Sequence, residues 1–141
     1  MKKATIIETI FLSLFLVFGL MAASNTWVPH SKWLALITGL ILAMPYFYAG
    51  YWLFGGGGLP AVVRILSGLV FSINILGCLF AILNSRLWLI YCIISLIGIV
   101  VTIIVSLIKY KSGSYKPILL RCIAHILILA LIFGYKVLSV C

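Results

Sequence analysis

Apolar runs of about twenty residues occupy most of this chain and leave little length for anything else. They fall over about 4–23, 33–54, 61–83, 87–108 and 117–139, with short breaks between them. An α-helix rises about 1.5 Å per residue, so about 20 residues cross the roughly 30 Å hydrocarbon core of a bilayer. Hydrophobic residues make up 66% of the sequence and charged residues 8%, against about 45–50% and about 25% in soluble domains. A water-soluble globule cannot hide that much apolar surface. The expected fold is an all-α integral membrane protein, one polytopic domain over 1–141 with a bundle of five transmembrane helices. The breaks are too short for a soluble domain.

The first run follows Met1-Lys2-Lys3, a start shared with cleaved signal sequences. Its apolar stretch is long for a signal, and Met21 stands where a signal peptidase wants a small residue. A retained first helix is expected; cleavage would leave four.

Ten Lys and Arg face a single acid, Glu8, for a formal charge of +9. The basic residues cluster at run ends, where they set orientation. With the amino-terminus inside, Lys2, Lys3, Arg64, Lys109, Lys111, Lys116 and Arg121 lie near the cytoplasmic face. Lys32, Arg86 and Lys136 lie near the other, so the count favours N-in/C-out. Nucleic-acid binding is not expected, because no folded module carries a basic face interleaved with aromatics. The segment 109–116, KYKSGSYK, is the strongly basic loop. Lys109, Lys111 and Lys116 there are expected to contact anionic lipid, at about 1 kcal/mol per charge.

The last run carries Arg121, His125 and Lys136 on one side of a helix, with Tyr135 and Ser139 beside them. A basic group facing lipid at mid-depth costs about 2.5–3.5 kcal/mol, so this side faces protein. Glu8 lies about one turn inside the first run and Arg121 about one turn inside the last. Both runs start from the same face, so the two share a depth and are expected to form a structural ion pair, with Arg64 as the second choice. The functional alternative is a proton-coupled carboxylate.

Polar and small residues form further stripes at helical spacing. The first run has Thr5, Glu8, Thr9, Leu12, Leu16, Gly19 and Ala23, expected to face the bundle. The third has Ser67, Phe71, Asn74, Cys78, Ala81 and Ser85; the fourth has Trp88, Tyr91, Ser95, Gly98, Thr102 and Ser106. The intramembrane polar residues Asn74 and His125 need partners, and such interhelical bonds average about 0.6 kcal/mol. Pro45 is expected to kink the second helix. The aromatics after it, Tyr46, Phe47, Tyr48, Tyr51, Trp52 and Phe54, read as an interfacial belt, or else as a surface for a flat ligand. Gly55-Gly56-Gly57-Gly58 reads as a connector, since the lysine and hydroxyl residue of a phosphate loop are missing.

Chemistry has little to build on. General acid–base catalysis needs groups with separated roles, and one carboxylate side chain is present. Cys122 and His125 are one turn apart without an orienting acid on their helix. The cysteines have neither C-x-x-C pairing nor metal-ligand spacing, and His30 reads as a solvated loop residue. No metal, cofactor, disulfide or enzymatic activity is expected. Polar faces on at least four helices suggest more contact surface than one bundle uses. The expected role is therefore helix–helix association with another membrane component, as an accessory or assembly subunit. The alternatives are a small oligomeric transporter or channel lined by Glu8, Asn74 and His125, and an immunity protein against a pore-forming toxin. The Met-Lys-Lys start, without organelle presequence features, points to a bacterial inner membrane.

Overall fold

The computed structural model describes residues 2–23, 30–53, 59–83, 85–109 and 115–140. These form α1 (Lys2–Ala23), α2 (Ser31–Leu53), α3 (Ala61–Ile82), α4 (Trp88–Ile108) and α5 (Lys116–Val140). All five are long and apolar enough to cross a membrane. A helix suits such sequences because it satisfies every interior backbone group within its own segment. Pro60 precedes α3 at φ −56° and accepts from the Arg64 amide through its carbonyl at 3.2 Å. The α3–α4 turn is tight: the Ser85 amide donates to the Phe80 carbonyl at 2.9 Å, and the Trp88 amide to the Ser85 carbonyl at 3.2 Å.

Contacts fix the helix directions. Glu8 in early α1 meets Arg121 in early α5, and Gly19 in late α1 lies beside Ile82 and Ile132 in late α3 and α5. In α2, Gly39 packs on Leu79 and Gly50 on Gly68; in α4, Gly98 packs on Val70 and Gly77 of α3 on Cys92. Thus α1, α3 and α5 run one way and α2 and α4 the other. Helix α3 is central and packs against each of the other four. Gly68 and Gly50 bring the α2 and α3 backbones together, so a side chain at Gly68 would meet the Tyr46 carbonyl.

Phe15, Tyr46, Phe71, Ile75, Ile99, Ile118 and Ile132 fill the interior. The outside is aliphatic, with Ile93, Ile94, Ile97, Val101 and Ile104 of α4 all exposed. That inverts the arrangement of a soluble protein, where such patches are small.

The stripes of α3 and α4 turn inward, burying Ser67, Phe71, Asn74, Cys78, Ser95 and Ser106. Helix α1 departs from expectation. Glu8, Phe15, Gly19 and Ala22 face the bundle, whereas Thr5, Thr9 and Ser13 face outward. Burying Phe15 and Glu8 together sets this rotation. The hydroxyls tolerate it by donating to backbone carbonyls one turn back: Thr9 to Thr5 at 2.8 Å and Ser13 to Thr9 at 2.9 Å.

Candidate functional site

Helix α5 places three basic or imidazole side chains against three different sets of neighbours. Nearest its start, the Arg121 guanidinium grips Glu8 in a fork: Nε donates to Oε1 at 2.7 Å and Nη2 to Oε2 at 2.6 Å. The Tyr46 hydroxyl of α2 donates to the same Oε1. The Arg121 and Glu8 side chains are 14% and 8% exposed, so neither charge relies on bulk solvent. A buried pair repays its desolvation only when its remaining lone pairs are also satisfied. The planar guanidinium fork and the phenol do so here, and together they tie α1, α2 and α5.

One turn further along α5, His125 is fully buried. The Asn74 side-chain amide of α3 lies 3.0 Å from His125 Nδ1 and donates to the His125 carbonyl at 3.3 Å. The Ser95 hydroxyl of α4 lies 3.2 Å from Asn74 Oδ1 and 2.9 Å from the Cys92 carbonyl, which share its one hydrogen. Phe71 stacks on the imidazole with ring centres 4.5 Å apart and planes 8° from parallel. Tyr46 meets both rings edge-on, at 5.6 Å from Phe71 and 5.5 Å from His125. This aromatic trio lies between the carboxylate cluster and the amide cluster.

At the far end, Lys136 Nζ donates to the Ala81 carbonyl in the last turn of α3 at 2.6 Å. It also lies 4.8 Å from the centre of the Trp88 ring. A helix carboxyl end and an aromatic face both favour a cation. Tyr135 is exposed and so turns away from this line of side chains.

Arg64 is half-buried in the first turn of α3, and Lys109 and Lys116 are exposed at that same end of the bundle. Lys111 and the Gly55–Gly58 run lie outside the described residues. His30 is exposed at the start of α2 with φ 79°. Cys78, Cys92 and Cys122 are buried free thiols.

Tyr46 corrects the reading of the aromatic segment. It is 2% exposed and belongs to the interior, while Phe47 and Tyr48 are exposed. Depth would have found it: α1 starts at the end of the bundle where α2 finishes, and Tyr46 precedes the end of α2 by about as much as Glu8 follows the start of α1. The contacts of Lys136 with Ala81 and Trp88 were also missed, since a backbone carbonyl leaves no signature in a side-chain pattern.

The arrangement neutralises a carboxylate, sets an imidazole against an amide, and caps a helix end. The chain matches no family model, no curated protein and no solved structure.

Proposed function

We propose that this chain is a multi-pass protein of a bacterial inner membrane that acts without covalent chemistry. In this reading it serves as an accessory or assembly subunit by binding another membrane protein through the outer face of α1. One observation carries the reading: α1 buries the smallest share of its length, yet its exposed side holds Thr5, Thr9 and Ser13 in a row at four-residue spacing. The exposed side of α4 is aliphatic and suits lipid. A row of small hydroxylated residues suits a helix instead, because it permits close backbone approach.

The orientation proposed is N-in/C-out. Alternation of the helices gathers Lys2, Lys3, Arg64, Lys109, Lys116 and Arg121 toward one end of the bundle, with Lys32, Arg86 and Lys136 toward the other. The more basic end belongs on the cytoplasmic face, where Lys109, Lys111 and Lys116 contact anionic lipid headgroups.

A photo-crosslinking residue at Thr9, compared with one at Ile97 on α4, tests the α1 face in cells. The expected result is a discrete adduct with one foreign membrane protein from Thr9 alone. Equal lipid adducts from both positions contradict the reading, and an adduct with a second copy replaces it with self-association. If the captured protein is a pore-forming toxin, the role becomes immunity.

A transport reading rests on a different observation, the polar groups that follow one another through the interior along α5. Flux in proteoliposomes that depends on substrate or ion and is lost in Glu8→Gln supports it; the absence of flux in both proteins removes it.

A further inference from the structure

Asn74 fixes the hydrogen-bonding state of His125. Its amide nitrogen lies 3.3 Å from the His125 carbonyl oxygen, which only accepts, so that nitrogen is a donor. The same nitrogen lies 3.0 Å from His125 Nδ1, which therefore accepts. In a neutral imidazole the ring hydrogen then sits on Nε2. Nε2 is buried and has no hydrogen-bond partner among the described residues. Leaving a buried donor unpaired is costly, and buried polar atoms nearly always find a protein or water partner.

The two ring nitrogens point apart, so Nε2 is directed away from Asn74. Phe71 covers one face of the ring. Tyr46 of α2 also packs edge-on to the imidazole, with its ring centre 5.5 Å away. Its hydroxyl spends its single hydrogen on Glu8 and keeps a lone pair for accepting.

We propose that one internal water molecule bridges His125 and Tyr46, accepting from Nε2–H and donating to the Tyr46 hydroxyl oxygen. A buried water needs two to four polar partners, and these two groups supply the minimum. The bridge joins the two clusters into a single chain: Arg121, Glu8, Tyr46, water, His125, Asn74, Ser95. That chain runs through all five helices, and no pair of helices can slide without breaking a link of it.

The test is solid-state NMR on the full-length protein in bilayers with 15N-labelled histidine, the two signals assigned with a His30→Gln variant. The expected spectrum for His125 has Nδ1 without hydrogen, Nε2 with hydrogen, and a cross-peak from that hydrogen to water. Tyr46→Phe is expected to abolish the water cross-peak and leave the Nδ1 signal of the Asn74 bond in place. A hydrogen on Nδ1 overturns the proposal. So does an Nε2 hydrogen without a water cross-peak, which would mean that it points at an aromatic face. A water cross-peak that persists in Tyr46→Phe overturns the bridge. If that variant does not fold, the unmodified protein's spectrum still decides.

Discussion

Glu8 is worth most to this protein as half of a pair. With Arg121 intact, Glu8→Gln leaves a buried guanidinium without its counter-charge, a change that costs about 3–5 kcal/mol in comparable sites. Arg121→Gln strands the carboxylate to a similar degree. The double variant removes both charges, so its loss is expected to fall short of the sum by at least about 1 kcal/mol, read as thermal stability in detergent. Additive losses mean that the two side chains act separately. Tyr46→Phe removes one hydrogen bond to a charged group and is expected to cost about 1.5–3 kcal/mol. How much of this site can be read from residues alone differs by residue. Glu8 meeting Arg121 follows from depth, since each lies near the start of a helix and both helices start at one end. Tyr46 was hidden by chemistry: a tyrosine among aromatics near a span end looks interfacial, and only the rotation of α2 about its axis separates it from exposed Phe47 and Tyr48.

Among the elements, the α2–α3 contact is the tightest constraint. Gly50 and Gly68 face each other there, and a Cβ at Gly68 falls 2.9 Å from the Gly50 Cα. Backbone atoms cannot swing aside as a side chain does, so Gly68→Ala is expected to push the helices apart and cost about 1–3 kcal/mol. Moving α2 also draws Tyr46 away from Glu8. Gly134 has open space around its Cα, and Gly134→Ala is expected to be neutral or to stabilise α5 by up to about 1 kcal/mol. Thermal melts of the two variants in one detergent check both statements; equal effects contradict the packing described. Helix existence was legible here because each run is long and bounded by polar or glycine-rich breaks. Helix rotation was less so. In α1 the pattern mixing Thr5, Glu8 and Thr9 suggests one inward face, but burial of Phe15 on the same face as Glu8 turns the hydroxyls outward. Their local bonds to the backbone cancel the penalty that the pattern argument relied on.

For the molecule as a whole, alternation of the five helices, with α3 at their centre, places most of the charges toward two ends and the aliphatics around the circumference. The proposed orientation predicts that a cysteine introduced at Arg86 reacts in intact cells with a membrane-impermeant thiol reagent, while one at Lys109 reacts only after lysis. The reverse pattern inverts the topology. Arg121 has its counter-charge in Glu8, and Lys136 has a carbonyl and an aromatic face within the chain. Under the proposed function, the partner binds the exposed hydroxylated row of Thr5, Thr9 and Ser13 on α1. The most direct measurement is native mass spectrometry of the tagged protein purified in mild detergent, with and without Thr9→Leu and Ser13→Leu on α1. The account predicts a stoichiometric complex with one foreign membrane protein that is lost in the α1 variant. A monomer or a pure homo-oligomer, unchanged by those substitutions, contradicts it.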